Sequence, residues 1–299
     1  MKIGIDLGGS HIGLGIIESG KVVYKVEKDL KDNEKGEENI LNLLISEIKS
    51  IINQNDIKIE EIEKIGIACP GIVENGTIRR ANNLKIEKLD MKEKLEKVFK
   101  NIPIKIRNDA KCAALAEKHF GILKEYDNAI MLTIGTGIGG AVFYNGKLLE
   151  GKKSEAFEIG HMIINKNGEK CSCNSNGCFE AYASIGNLRK KVQKELKIEN
   201  EITGVELVKI LKNDNKLKII NIILEEYINN LAIGISNLIN IFEPEIIALG
   251  GSIVYYDDII LPKLKEILEK EEYIFNKKAL PLIVMATLNN DAGMIGSTI

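Results

Sequence analysis

Two stretches of the chain repeat one pattern. Ile3-Gly-Ile-Asp-Leu-Gly-Gly-Ser10 and Ile130-Met-Leu-Thr-Ile-Gly-Thr-Gly137 each run a short apolar strand into a glycine turn. Each continues through a second apolar stretch to a Gly-Lys turn, at Gly20-Lys21 and Gly146-Lys147. The shared order points to a duplication that heads each half with a glycine hairpin. Glycine lets the backbone approach a phosphate and aim its N–H groups at it. Ser10 and Thr136 add hydroxyl donors. Asp6 stands at the end of the first strand, where a carboxylate can hold Mg²⁺ through its waters. Neither turn carries Gly-Lys-[Ser/Thr] or the dinucleotide fingerprint. Two readings stay open, ordinary hairpins or a pair clasping nucleotide phosphates. Gly250-Gly251, after another apolar strand, is a weaker third signal for the nucleoside end.

The remaining elements alternate. Ile40, Leu44, Ile48, Ile51 and Ile52 predict a helix over 37–54. A strand is expected at Lys64–Cys69, an Asn-Gly hairpin at 74–77, a strand at Pro103–Arg107 and a helix over Ala110–Lys118. Leu217, Ile220, Leu224, Ile228, Leu231, Ile235, Leu238 and Phe242 predict a long helix near 216–242, buried on more than one side. A strand at 245–251, a helix over 262–272, a strand at 282–286 and a final helix from Asn290 complete the series. Strand–helix alternation makes the class α/β. The expected domains are residues 1–120 and 121–289, with 290–299 packing back on the first.

The chain has 299 residues, enough for two domains, and 44% of them are hydrophobic. A formal net charge of −2 argues against a broad basic nucleic-acid face. No apolar run reaches membrane-span length, and the start lacks signal-peptide character. The expected location is the cytoplasm, with no membrane partner. Five Cys do not make a disulfide framework in a chain of this size. Cys69 and Cys112 sit in apolar surroundings and read as buried thiols.

Two clusters carry chemistry. Asp109, in Asn108-Asp109-Ala110, lies between a strand and a helix. It is either the helix N-cap or a carboxylate opening onto the ligand crevice, where it can take a proton from a hydroxyl attacking phosphorus. His161, Cys171, Cys173 and Cys178 match a closed tetrahedral zinc site; the alternative is three reduced surface thiols and an unrelated His. Glu158 and Glu180 flank that loop, held where carboxylates suit recognition of sugar hydroxyls.

These residues together resemble the ROK family of sugar kinases and repressors, on the actin-like ATPase (ribonuclease H-like) fold. The resemblance runs through Asp6–Ser10, Cys69-Pro-Gly-Ile-Val73, Asn108-Asp-Ala110, Gly135–Gly140, Glu158-Ile-Gly-His161, Cys171–Cys178 with Glu180, and Ile246–Gly251. It implies that Asp109 is the base acting on a hexose 6-hydroxyl, and that Gly71, Asn83, Asn108, Asp109, Glu158, His161 and Glu180 form the sugar site. It implies ATP and Mg²⁺ at Asp6, Gly8, Gly9, Ser10, His11, Thr133, Gly135, Thr136, Gly137, Gly139, Gly250 and Gly251. Zinc would be structural, and the chain a homodimer or larger homo-oligomer. Ser10, His11, Ser154, Phe157 and Asn174 depart from the family pattern, and the chain has no Trp.

The expected activity is an ATP-dependent hexose 6-kinase, with glucose foremost. N-acetylmannosamine, N-acetylglucosamine, fructose and β-glucosides are rival substrates. The reading outside enzymology is a sugar-sensing repressor, disfavoured because the first strand begins at Lys2 and leaves no helix-turn-helix ahead of it.

Overall fold

The computed structural model describes residues 1–152, 157–213, 217–270, 274–276 and 280–299. Residue 216, the expected helix end at 271–272 and the departure at Ser154 lie outside the described residues. Met1–Lys124, a segment starting at Glu150, and Asn290–Ile299 form one compact unit; Glu125–Leu149 and Phe157–Asn289 form the other.

In the first unit, β1 (Lys2–Leu7), β2 (His11–Glu18) and β3 (Lys21–Asp29) form an antiparallel meander. The β2–β3 turn has positive φ at Ser19 and Gly20, the geometry that matches hairpin twist. Helix α1 (Glu37–Gln54) follows, then β4 (Lys64–Cys69), parallel to β1. Ile40, Leu44, Ile48, Ile51 and Ile52 are the buried face of α1. Its N-cap, Gly36, offers no side-chain bond. That omission costs only about 0.3 kcal/mol at a glycine cap, far less than the burial of five aliphatic side chains at about 2 kcal/mol each contributes. Next come β5 (Ile72–Glu74), β6 (Thr77–Ala81) and β7 (Ile86–Leu89), a small sheet the sequence reading missed beyond its Asn75-Gly76 turn. Helix α2 (Met91–Val98), β8 (Ile104–Asn108) and α3 (Asp109–Phe120) complete this stretch.

The second unit repeats the plan. Strands β9 (Ala129–Ile134), β10 (Ile138–Tyr144) and β11 (Lys147–Leu148) form a meander. Helices α4 (Phe179–Ala183), α5 (Ile185–Glu195), α6 (Gly204–Lys212) and α7 (Lys218–Phe242) precede β12 (Ile246–Gly250), α8 (Asp257–Lys270) and β13 (Leu282–Met285). The two five-stranded sheets have equivalent orders, β3-β2-β1-β4-β8 and β11-β10-β9-β12-β13. In each, the glycine-turn strand lies between its hairpin partner and a parallel strand. The duplication read from two short strings thus extends to the whole sheet.

Helix α7 is buried on several sides, through residues such as Ile223, Tyr227, Leu231, Ala232 and Ile235. Two details differ from the sequence reading. Leu217 is the exposed N-cap rather than part of the buried face. Helix α8 begins at Asp257, not at Pro262, which sits inside it. A 3-10 turn over Gly251–Tyr256 leads straight into that helix, so it starts without waiting for the proline. Helices α4 to α6 were not anticipated, although α6 carries a capping box in which Thr203 and Glu206 exchange bonds. No helix among the described residues is long and apolar enough to cross a membrane.

The last helix, α9 (Ala292–Ser297), returns to the first unit and packs on β1, β4 and α3. Its seat is a pair of glycines, Gly4 and Gly66, adjacent across the parallel ladder. A Cβ on either would collide with a backbone carbonyl of α9, that of Met294 or of Ser297. Backbone cannot yield as a flexible side chain can. Gly66→Ala is therefore expected to destabilise the chain by about 2–3 kcal/mol through overpacking, read as a lower urea midpoint. An unchanged midpoint would mean that α9 does not rest on β4 in solution.

Candidate functional site

In the first unit, the predicted site residues gather at the C-terminal ends of β1, β4 and β8. The first glycine turn closes on itself, with the Gly8 N–H donating to the His11 carbonyl at 2.9 Å. Ser10 and His11 are exposed. Gly9 lies against Asn83, whose Cβ would be 2.9 Å from any Cβ added there. Asn83 sits in an exposed 3-10 turn beyond β6. The turn and this predicted sugar contact are thus neighbours, which sequence separation alone would not suggest. Gly71 follows β4 with φ +87°, a left-handed conformation suited to glycine.

The junction of β8 and α3 shows which of the two residues, Asn108 or Asp109, caps the helix. Asn108 is the N-cap: its Oδ1 accepts the Lys111 N–H at 3.3 Å. Its Nδ2 donates to the Gly71 carbonyl at 3.2 Å and ties the ends of β8 and β4 together. Asp109 is the first helical residue; its Oδ1 accepts the adjacent Ala110 N–H at 2.8 Å, and its carboxylate also accepts its own backbone N–H. Burial raises its carboxyl above the ordinary carboxylate range, and the Ala110 N–H and its own N–H oppose that rise.

Asp6 is perturbed in the same direction. Burial, and then the charge of Asp109, push its carboxyl up to about 7, while Lys25 works in the opposite direction. The Asp6 carboxylate lies against Gly293 of α9, where any Cβ would collide with it. The pair forms a recessed acidic centre whose second charge is costly until a cation or proton offsets it. Cys69 and Cys112 are buried nearby. Burial and the charge of Asp109 hold the Cys69 thiol well up, and burial does the same for Cys112, so both are inert packing groups.

In the second unit, Thr133, Gly139 and Gly250 share one rung across β9, β10 and β12. Beyond that rung the second glycine turn closes with the Gly135 N–H on the Gly137 carbonyl, at 2.9 Å. Thr136 is exposed at its tip. Gly251 has φ +79° and lies so near Ile134 that a Cβ would be 2.8 Å from its carbonyl oxygen. The Gly186 N–H of α5 donates to the Gly135 carbonyl at 3.0 Å and fixes the turn to the helix.

Beside this turn opens a pocket of about 810 Å³, lined by residues that include Thr136, Arg189, Thr203, Val208, Ser252 and Tyr255. The sequence reading reached Gly135 and Thr136 but missed the walls from α5, α6 and the 3-10 turn after β12. No short motif marks them. The Thr203–Glu206 capping box was the one signal that would have located α6.

His161, Cys171, Cys173 and Cys178 converge, with their ligand atoms all within 4.8 Å of one another. Cys171 Sγ is 3.6 Å from His161 Nδ1, and Cys173 Sγ is 3.6 Å from Cys178 Sγ. Zinc–sulfur bonds of about 2.3 Å at tetrahedral angles put two sulfurs about 3.8 Å apart. Donor chemistry and spacing therefore fit zinc. Burial and the neighbouring thiols push Cys178 up to about 12. At Cys173, burial is outweighed by hydrogen bonds from Ser175 and the adjacent thiols, which bring it down to about 7. Asn174, where the family carries glycine, has φ +71° and occupies the left-handed region that Asn tolerates.

Glu180 joins this loop to the glycine turn. One carboxylate oxygen accepts the Ile138 N–H at 2.9 Å and the other the Ser172 hydroxyl at 2.7 Å. Glu158 stands exposed at the N-cap of the 3-10 turn that ends at His161. Phe157 before it has φ +66°. That conformation costs an L-residue about 1–2 kcal/mol. Its ring packs on the unit's core, with its centroid 6.5 Å from that of Phe242, and this burial offsets the strain.

The comparisons with known proteins follow this geometry. The ROK family model matches residues 2–299. A glucokinase from Thermotoga maritima is 30% identical over 315 residues, covering 99% of this chain and 95% of that protein. A xylose repressor from Caldicellulosiruptor bescii is 31% identical over 286 residues, covering 91% of this chain and 71% of the repressor. A solved ROK family glucokinase from Streptomyces griseus, in complex with glucose and AMPPNP, superposes with a TM-score of 0.84 at 23% identity, covering 99% of this chain and 97% of that one. This chain belongs to the ROK family and has its α/β, actin-like ATPase fold.

Proposed function

We propose that the chain is an ATP-dependent hexose kinase that transfers the γ-phosphate to a sugar 6-hydroxyl, with glucose as the first substrate to test. The observation that carries this reading is the position of Asp109. Asn108 caps α3, so the Asp109 carboxylate stays available at a strand end. Burial makes it a stronger base than a solvated Asp. It takes the proton from the sugar hydroxyl as that oxygen attacks phosphorus. Gly71, Asn83, Asn108, Glu158, His161 and Glu180 are assigned to the sugar. The two glycine turns are assigned to the ATP phosphates, and the 810 Å³ pocket to the nucleoside.

The Asp6–Asp109 centre suits Mg²⁺, which would neutralise charge on the phosphates being transferred. Asp6 is its intended holder, since a carboxyl near 7 exchanges its proton for a cation readily. Zinc, held by His161, Cys171, Cys173 and Cys178, would leave no open position and would serve to fix Glu180 and Glu158. The proposed setting is the cytoplasm, where thiols stay reduced.

The likeness to a xylose repressor keeps a second reading in view, a sensor that binds sugar without turning it over. ADP release measured across glucose, fructose, xylose, N-acetylhexosamines and β-glucosides separates the two. The kinase reading requires turnover with at least one hexose. It also requires Asp109→Asn to lower kcat at least about 100-fold while sugar binding persists. Sugar binding with no ADP release in the wild type would favour the sensor.

Asp6 gives a pH test. Its native carboxyl titrates near 7 against 3.8 in the unfolded chain, so the folded state holds the extra proton between those values. The stability from this proton is full below about 4 and is lost as pH rises through about 7. Without divalent metal, urea midpoints should fall over that window, and Asp6→Asn should flatten the fall. An equal slope in both proteins would contradict the assignment. Elemental analysis should find one zinc per chain, lost in Cys173→Ser with a lower melting temperature. A wild-type chain purified without chelator and free of zinc would remove that part.

A further inference from the structure

A second, smaller concavity lies wholly within the first unit, along the outer edge of β8. It has a volume of about 280 Å³. Four basic side chains line it, Lys92 of α2, Lys105 and Arg107 of β8 and Lys111 of α3, against one described carboxylate, Glu150. The Arg107 Nη1 is buried with no hydrogen-bond partner among the described residues. A buried guanidinium nitrogen without an acceptor is costly, and a ligand oxygen would remove that cost. The other three cations are each partly engaged, Lys111 among them. Lys92 pairs with Glu96 at 3.8 Å, and Lys105 donates to the Ile299 carbonyl at 3.0 Å. Burial, and then the charges of Arg107 and Lys64, lower the Lys105 ammonium below its usual range.

We infer that this groove binds a phosphate group, carried by inorganic phosphate or by a compact phosphate monoester. Three features select that chemistry. The excess of positive charge favours a dianion over a single carboxylate. An arginine fork beside lysines is suited to phosphate oxygens. Because β8 ends its sheet, its outer backbone groups have no ladder partner and can also face a ligand. The volume falls just below the range typical of small-molecule pockets, which leaves room for a phosphate with a small organic group and little more. Asn108 also lines the groove, and its side chain caps α3 and holds Gly71. A phosphate ligand here would therefore lie one residue from Asp109, the base of the proposed reaction.

The test is isothermal titration of the full chain with inorganic phosphate and, separately, with glycerol 3-phosphate. Wild-type protein and the variants Arg107→Gln, Lys92→Gln and Lys49→Gln are compared. Lys49 is exposed on α1, outside the groove, and controls for net charge. Affinity for at least one probe should fall tenfold or more in Arg107→Gln and Lys92→Gln and stay at wild type in Lys49→Gln. Tighter binding of glycerol 3-phosphate assigns an organic phosphate, and equal or weaker binding assigns the free ion; either supports the site. Melting curves show whether each variant is folded, and Lys92→Gln, on a partly exposed helix face, keeps the test open if Arg107→Gln is not. Absence of binding by both probes, or equal binding by Lys92→Gln and wild type, would overturn the inference.

Discussion

The site depends on one hydrogen bond, from the Lys111 N–H to the Asn108 side chain. A helix that starts at the end of a strand exposes backbone N–H groups, and a nearby side chain normally takes one. Asn108 does so here, and the same residue reaches across to Gly71. Two strand ends and a helix start are pinned by a neutral amide. The carboxylate next to it then stays recessed and only lightly bonded, which keeps its basicity. Had Asp109 been the cap, its carboxylate would have accepted a further helix N–H and its proton affinity would have been lower.

The acidic centre imposes a second constraint. Asp6 and Asp109 cannot both be buried anions without cost, a cost that a proton on Asp6 or a cation beside it would relieve. The glycines of the fold make this approach possible. Gly293 lets the last helix come down against the Asp6 carboxylate, and Gly4 and Gly66 let that helix lie on the strands. In the second unit Glu180 plays the corresponding connecting part, bonded both to the backbone beside the glycine turn and to the cysteine loop. A metal held by that loop would stiffen a carboxylate that also braces the proposed phosphate-binding turn.

Much of this was legible in the sequence where local physics is strong. The glycine turns, the spacing of Ile40 to Ile52 and the His161–Cys178 set each correspond to an observed hairpin, helix or cluster. The equivalence of the two sheets was visible only as two short strings, because parallel neighbours such as β4 and β12 are distant in sequence. The 810 Å³ pocket was illegible because its walls are ordinary Val, Thr and Tyr residues on three elements. The division of labour between Asn108 and Asp109 could not be read at all. Both residues suit a cap, and only the geometry of the junction says which one serves.

The most direct measurement is the carboxyl ¹³C titration of Asp109 in metal-free protein, assigned through Asp109→Asn. The account predicts a midpoint above the 3.8 of a solvated aspartate, because burial outweighs its bonds to the Ala110 N–H and to its own. A midpoint at or below that value would mean that the carboxylate is spent on the helix, and the case for it as the base would fail.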